Sequence, residues 1–527
     1  MSAQDKDLQP QAEAIAFLSD PASYGSGIDA VGRIDTHAAI VFLAGEAVFK
    51  IKRAVTFPFL DFSTLEKRRH ACEREVEVNR LTAPDLYLGT VAVTRAADGT
   101  LSLGGQGDPV EWAVHMRRFD EHATLDKLAG ETGFDAALID RLAEQVAALH
   151  DKAPIATISD PAAGVAWVAR ENCEEMGGFP ALFPPGEVAD LLARTDAALG
   201  RLVPLIEARA AAGFIRRCHG DLHLGNVALI DGAPVIFDAI EFNEDFATID
   251  VLYDLAFLIM DLWERGLRSE ANRVLNRWLV HRRQPDDLDG LALLPLFLSM
   301  RAAIRAKVAA PRAAHLEGAK RDAAEAEARA MFSAARAFLD PAPARLVAIG
   351  GLSGTGKTTI ATGIAAGIGP APGAVVVRSD VIRKVLFDVS ETTRLPEQAY
   401  TREAAVRVYT EIEAWAARAL AAGHATILDA VHSKPAERDA ARAVAEAAGV
   451  PFDGIWLEAK PERLIARVTA RTGDASDATA DVVRKQLAYE TGPIDWTVVD
   501  TGNGPSEAID RTCRALGIES SISSDKN

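Results

Sequence analysis

The residues best placed to do chemistry in this 527-residue chain fall in two stretches. In GGLSGTGKTT, residues 350–359, Gly351 is followed after four residues by Gly356, Lys357 and Thr358. Gly351, Gly354 and Gly356 permit a tight backbone. Its amides, with those of Leu352, Ser353, Thr355 and Thr359, turn inward, and the positive end of a following helix adds to them, which makes the turn a preformed nest for polyphosphate. Lys357 would reach the β- and γ-phosphates, and Thr358 would offer its hydroxyl to Mg²⁺. The second stretch is HGDLHLGN, residues 219–226, followed by two short apolar strands about a DG turn, with Asp238 closing the second strand. Asp221, Asn226 and Asp238 in that order suit phosphoryl transfer, whose work is positioning and charge neutralisation. One aspartate accepts the proton of the attacking hydroxyl, while the asparagine and the other aspartate hold Mg²⁺ across the phosphates.

Each stretch needs elements to position it. RLVAIG (345–350) reads as a short buried strand and IATGIAAG (360–367) as a helix, the setting that the glycine-rich motif requires. Further on, AVVVR (374–378) is a continuous apolar strand leading to Ser379 and Asp380. Ligands bind at the carboxyl ends of parallel strands, so Asp380 is placed to receive a hydroxyl proton, unless it serves only as a helix cap, and Arg383 one turn later can hold a substrate anion. The strand 425–428 ends at Asp429, whose position resembles that of the Walker B carboxylate that holds Mg²⁺ through water. Arg467 and Arg471, four apart on a helix from Pro461, share a face, and the loop beyond them reads as a mobile lid whose arginines neutralise developing phosphate charge.

The first half is built differently. Residues 34–53 read as strand, loop, strand, turn and strand, with Val48, Lys50 and Lys52 on one face of the last and Phe49 and Ile51 on the other. Two lysines on one strand face suit an anion. Ser63–Leu81 is an amphipathic helix with Ser63 as its cap and Glu66 completing a capping box. Strands follow at 85–92 and 110–119, then a helix at 134–150. From Leu291 to Asp340 the sequence is helical and Ala-rich, broken at Pro311, with Arg301 and Arg305 on one helix face as a clamp for an anionic acceptor. Pro341 and Pro343 mark a linker, and the two ends of the chain, 1–10 and 519–527, are polar and read as loose.

Composition bounds the rest. A chain of this length holds more than one domain, and 49% hydrophobic with 25% charged residues is the make-up of a folded protein. A formal charge of −18 argues against wrapping a nucleic-acid backbone or lying on an anionic membrane, both of which require a basic face. Four scattered cysteines form no CxxC pair and suggest neither a disulfide framework nor a zinc site, and no signal peptide or long apolar run is evident. These features lead to the expectation of a cytoplasmic protein that works on small molecules, with its oligomeric state left open.

With these residues in hand, 25–340 resembles the aminoglycoside phosphotransferase-like kinases, whose loop reads HGDxHxxN. That resemblance implies Lys50 or Lys52 as the phosphate lysine, Glu75 as its helix partner, Asp221 as base, and Asn226 and Asp238 as metal ligands. Asp250 and Asp254 resemble the acidic segment that braces the loop. One departure is that the first two strands are joined by Asp35, Thr36, His37, Ala38 and Ala39, with no glycine. Residues 341–517 resemble the small P-loop kinases, a group that includes gluconate kinase and the zeta toxins, through GLSGTGKTT, SDVIR and the paired arginines. Nearly the whole chain resembles a bacterial fusion of these two domain types, flanked by a polar lead-in (1–24) and a tail (518–527). The implied fold is α/β and α+β: a protein-kinase-like two-lobed domain, then a P-loop NTPase domain with a parallel sheet flanked by helices. The implied function is ATP- and Mg²⁺-dependent transfer of the γ-phosphate to a hydroxyl of a small-molecule acceptor. Two other readings stay open: a nucleotide-binding regulator with a non-catalytic first half, and a toxin-like kinase of nucleotide sugars.

Overall fold

A computed structural model of the chain describes residues 11–57, 60–130, 134–471 and 473–519; the polar segments at 1–10 and 520–527 lie outside the described residues. The molecule divides into two compact units. One comprises the residues through Arg141 with Leu149–Ile158 and Ala210–Leu255, and the other Leu142–Ala148, Ser159–Arg209 and everything from Ala256 on.

In the first unit, helix α1 (Ala12–Ser19) leads into the strands β1 (Val31–Asp35), β2 (Ala39–Ala44) and β3 (Ala47–Lys52). Then come α2 (Leu65–Asn79), β4 (Tyr87–Arg95), β5 (Leu101–Leu103) and β6 (Asp108–Arg117), and the sheet order is β1-β2-β3-β6-β4-β5. Alternation decides the two faces. Phe49 and Ile51 bury on one side with Ile40, Phe42 and Val93, while Val48 buries on the other with Cys72 and Val76 of α2. Residues 11–24 belong to this body rather than forming a lead-in. Ile15 and Leu18 of α1 join the Phe49 side of the core, and the Gln11 amide donates to Lys52 O and Glu111 Oε2, both at 2.7 Å. The cap of α2 is Thr64, one residue later than expected, its hydroxyl accepting from Lys67 N–H.

Helices α3 (Ala136–Lys152), α4 (Pro161–Gly177) and α5 (Pro185–Ala211) follow, then β7 (Ile215–Arg217), β8 (Val227–Ile230), β9 (Ala233–Ile236) and β10 (Thr248–Asp250). β8 and β9 form a two-residue hairpin at Asp231 and Gly232, both with positive φ (52° and 76°), the turn that an Asp-Gly pair favours.

The second unit joins the helices α6 (Val251–Glu264), α7 (Arg268–Arg282), α8 (Leu294–Ala314) and α9 (Gly318–Phe338), for α6 its part from Ala256, to the C-terminal sheet. α8 runs through Pro311 and ends at Ala314, so the proline sits in its last turn instead of breaking it. The sheet is built from β11 (Leu346–Gly350), α10 (Lys357–Ala365), β12 (Val375–Arg378), α11 (Ser379–Leu386), α12 (Arg402–Ala421), β13 (Thr426–Asp429) and α13 (Pro435–Ala448), followed by β14 (Phe452–Glu458), α14 (Pro461–Ala470), α15 (Ala480–Gln486), β15 (Thr497–Asp500) and α16 (Pro505–Leu516). All five strands are parallel, in the order β12-β13-β11-β14-β15, with Val347, Ile349, Ile427, Ile455 and Leu457 in the core against α10 and α16.

The expected boundary at 340–341 separates the two motif sets but not the two compact units. β12 is an edge strand with backbone groups to satisfy, and α7 covers it. Asn272 and Asn276 donate to Ala374 O at 3.0 and 3.1 Å, and Asn276 Oδ1 accepts from Val376 N–H at 2.7 Å. Around them Arg277 pairs with Glu391 at 2.7 Å, Arg283 donates to Val389 O at 2.9 Å, and Arg418 pairs with Asp289 at 2.6 Å. Asn272 is buried, as is the Arg282–Asp287 pair (2.7 Å) at the end of the same helix. α7 is part of the second unit because it covers the edge of its sheet.

Candidate active sites

In the first unit, β3 and α2 bring Lys50, Lys52 and Glu75 together. Lys50 Nζ lies 2.9 Å from Glu75 Oε1 and 2.7 Å from Asp238 Oδ1, so the strand lysine touches both the helix glutamate and the carboxylate after β9. Lys52 Nζ lies 2.5 Å from the other Glu75 oxygen and pairs with Glu241. Of the two, Lys50 faces the open side, with 16% of its side chain exposed against 3% for Lys52. The sequence left that choice open, and the burial of Lys52 makes it a structural counter-ion. Burial lowers the pKa of both lysines, but the carboxylates outweigh it and hold both above the ordinary value; Glu75, raised by burial, is pulled down to about 2 by the two lysines. Glu241 is a site residue that motif reading missed. It stands three positions after Asp238 in FDAIEFN, and only the fold shows that it faces Lys52.

The loop 219–226 is braced from below. Asp254 accepts from His219 N–H at 3.2 Å and Gly220 N–H at 2.8 Å, and its Oδ2 lies 3.1 Å from His150 Nε2. Gly220 has φ 85°, and a Cβ there would sit 3.1 Å from Phe246 O, so glycine is needed at this bend. Asp250 caps the start of α6 through Leu252 N–H, 2.8 Å. His219 donates from Nε2 to Phe237 O at 2.9 Å and accepts from Asp221 N–H at 3.3 Å; burial lowers its pKa and the ring is neutral. At the mouth, Asn226 Nδ2 donates to Asp221 O (2.9 Å) and Oδ2 (3.1 Å), and His223 Nε2 lies 3.4 Å from the same carboxylate oxygen. Asp238 takes a positive φ of 61°, held there because its N–H donates to the Tyr87 hydroxyl at 3.2 Å. The glycine-free turn between β1 and β2 is tight, with Thr36 N–H donating to Ala39 O at 2.9 Å and Arg53 donating to Thr36 O at 3.0 Å.

In the second unit the phosphate loop joins β11 to α10. Gly351, Gly354 and Gly356 have φ of 138°, 86° and 92°, and a Cβ on either of the first two would come within 2.6 Å of a carbonyl oxygen. The loop therefore requires glycine at those positions. Lys357 Nζ rests on Leu352 O at 3.2 Å; burial lowers its pKa against the pull of Asp429 and Asp380. Thr358 Oγ1 donates to Asp429 Oδ2 at 2.6 Å, and burial raises the Asp429 pKa against Arg378 and Lys357. A phosphate nest, a desolvated lysine and a hydroxyl–carboxylate pair at adjoining strand ends form the donor set that a Mg²⁺–nucleotide needs. The residues present fit that ligand.

Asp380 lies in the first turn of α11 and within the charge field of Lys357 and Arg378. The N-cap position of that helix is Arg378, so Asp380 stands inside the first turn and not at the cap. Four other expectations change. Arg467 and Arg471 do not share a helix face, because α14 ends at Ala470. Arg467 instead buttresses the phosphate loop, donating to Gly354 O at 3.2 Å and Thr501 O at 2.7 Å, while Arg471 Nε lies 3.8 Å from Asp474. The loop beyond is tied down rather than free, through Arg378–Asp474 at 2.9 Å and Lys384–Asp477 at 2.7 Å. Arg383 stacks on Tyr400 and donates to Ala399 O at 2.6 Å. The Arg301–Arg305 clamp is also corrected. Arg301 is buried over the Phe257 ring, Arg305 pairs with Glu327 at 3.3 Å and Lys307 with Glu171, so these cations fasten helices to one another.

With both sites described, the comparisons can be placed on them. Residues 45–294 match the phosphotransferase enzyme family and residues 346–493 match an AAA domain. An uncharacterized protein of Mycobacterium tuberculosis is 32% identical over 487 residues, covering 90% of this chain and 92% of its own. The chain belongs to this fused phosphotransferase–AAA family. Among solved structures, a sugar kinase from Janibacter is 26% identical over 34% of this chain and 98% of its own, TM-score 0.27. The GDP complex of aminoglycoside 2'-phosphotransferase-IIIa is 15% identical over 62% of this chain and 99% of its own, TM-score 0.36. As a member of the fused family the chain is an ATP-dependent phosphotransferase of mixed α/β fold, and no helix among its described residues is long and apolar enough to cross a membrane.

Proposed function

We propose that each unit transfers the γ-phosphate of ATP to a hydroxyl of a small molecule, and that the C-terminal site is the better built of the two. The observation that carries this reading is the convergence of Lys357, the Thr358–Asp429 hydrogen bond of 2.6 Å and Asp380 at the carboxyl ends of adjoining strands. Mg²⁺ would be held by Thr358 and Asp429, and in the first unit by Asn226 and Asp238, where it supplies charge neutralisation across the phosphates.

The chain's own residues do the remainder. The amides of 351–359 orient the β-phosphate, and Lys357 leaves Leu352 O to meet the negative charge that replaces it. Asp380 takes the acceptor proton, while Arg467 keeps Gly354 in place. In the first unit Lys50, pinned by Glu75, orients phosphate, and Asp221, held by Asn226 and close to His223, serves as base. The acceptor is a small hydroxyl compound.

The test is ADP formation by the full chain with Mg²⁺ over a panel of hydroxyl-bearing metabolites, repeated with Asp221→Ala and Lys357→Ala. Loss of an acceptor-stimulated rate in one variant assigns that acceptor to its unit. If every such rate survives both substitutions, the two-site reading fails. If Asp221→Ala alone changes nothing, the first unit is a binding or regulatory domain.

A further inference from the structure

Arg378 closes β12 where that strand runs beside β13, and the parallel register pairs it with Asp429. Both residues thus stand at the carboxyl ends of adjoining strands, where such sheets bind their ligands. The Arg378 Nε is buried and, among the described residues, makes no hydrogen bond. It lies 3.5 Å from Asp429 Oδ2, the same oxygen that accepts the Thr358 hydroxyl at 2.6 Å. The guanidinium therefore adjoins the donor set of the phosphate loop. One of its terminal nitrogens donates to Asp474 Oδ1 at 2.9 Å. An arginine carries its donors in a planar fork, and buried donors are nearly always paired. A fork with one hydrogen bond to Asp474 and a buried Nε beside the metal carboxylate suits an oxyanion that is not part of the chain.

Neutralising Asp429 does not account for this placement. With Mg²⁺ held by Thr358 and Asp429, the charge of that carboxylate is already met, and a guanidinium so close by is repelled by the divalent ion. An anion between the two cations removes the conflict, and the γ-phosphate is the anion that a bound triphosphate brings there. Asp474 shows what keeps the fork until then. It lies 2.9 Å from Arg378 and 3.8 Å from Arg471, and its Oδ1 also accepts from Ser476 N–H at 3.1 Å. A carboxylate between two guanidinium groups is the kind of partner that a phosphate oxygen can replace. Burial works against the charge of Arg378, and Asp429, Asp474 and Asp380 outweigh it. The fork thus sits among the metal carboxylate, the exchangeable carboxylate and the proposed base.

We propose that Arg378 is a ligand of the γ-phosphate in the C-terminal unit, and that it gives up Asp474 for that phosphate when a nucleoside triphosphate binds. This rests on the reading that the phosphate loop binds Mg·ATP. It adds a cation from β12, outside the glycine-rich motif, and gives the site a means of telling a triphosphate from a diphosphate.

The test uses the full chain and two probes, Mg·AMPPNP and Mg·ADP, titrated calorimetrically. The same titrations of Lys357→Ala identify the binding that belongs to the C-terminal unit, since only that part is lost. Arg378→Met keeps the apolar stem and removes the fork. Loss of charge-assisted hydrogen bonds to the third phosphate predicts an AMPPNP affinity lower by about tenfold or more, with ADP affinity unchanged. Asp474→Asn should act in the opposite direction. The triphosphate then has no charged pair to break, so the AMPPNP-to-ADP affinity ratio should rise by about threefold or more. A residue that only fastened the loop to β12 would move both probes together in Arg378→Met and would gain nothing from Asp474→Asn. An unchanged ratio in Arg378→Met, or an unchanged or lower ratio in Asp474→Asn, overturns the proposal. Should Arg378→Met fail to fold, Asp474→Asn decides alone. If Lys357→Ala removes no AMPPNP binding, the phosphate-loop reading itself fails and takes this one with it; if it does and the ratios stay flat, only the role of Arg378 is refuted.

Discussion

Lys50 keeps part of its side chain in solvent beside Asp238, whereas Lys52 is enclosed between Glu75 and Glu241. Substituting them should have opposite signatures. Lys50→Met leaves Glu75 paired with Lys52, so the protein should melt within a few degrees of the parent while phosphotransfer in the first unit falls by about 100-fold or more. Lys52→Met strips two buried carboxylates of their shared cation and should cost about 3–5 kcal/mol, visible as a large drop in melting temperature. In the second unit, Asp380→Asn should lower acceptor turnover by about 100-fold or more while nucleotide affinity, measured by titration, stays near the parent value. The local geometry of the candidate sites was largely legible, because Gly351–Thr359 and Asp221–Asn226–Asp238 are local patterns whose spacing dictates their backbone. Glu241 and Arg378 were not, since nothing in their own neighbourhoods says what they will face. Arg301 and Arg471 misled for the complementary reason: periodicity places a side chain on a helix face but does not reveal the ring or carboxylate that already occupies it.

At the level of elements, the strands and helices that carry the motifs fell close to where the residue pattern put them. β11 and β12 are continuous apolar runs, and the Asp231-Gly232 turn announces its hairpin. The role of α7 was hidden, since two asparagines in SEANRVLNRW read as ordinary surface residues until an edge strand lies beside them. Asn276 satisfies both a carbonyl and an amide of that edge, so Asn276→Leu should destabilise the second unit by about 1–3 kcal/mol, checked by chemical denaturation. Expression of residues 341–527 alone should give an aggregating product, because the β12 edge and the surface under α7 lose their cover. A soluble monomer that binds nucleotide like the full chain would refute that role for α7.

Across the whole molecule, buried histidines make acid a structural stress. His424 is buried with Nε2 2.8 Å from Gly373 O, and burial depresses its pKa to about 4. With the folded value below the unfolded one, the unfolded chain takes the proton first. The stabilisation is therefore complete above about pH 6.5 and is lost at about 1.4 kcal/mol per pH unit as pH falls toward 4. The melting temperature of the parent should thus decline from pH 7 to pH 5 more steeply than that of His424→Gln, as scanning calorimetry would show.

The Asn272–Asn276 contact to β12 also bears on ancestry. α7 lies within the phosphotransferase match yet covers the edge of the C-terminal sheet, so gene fission at the proline linker would orphan both sides of the contact. Relatives that carry only one half should accordingly have rewritten it, with water-loving side chains along the free strand or a different cover for it. The joining of the two domain types thus left its record in those two amides.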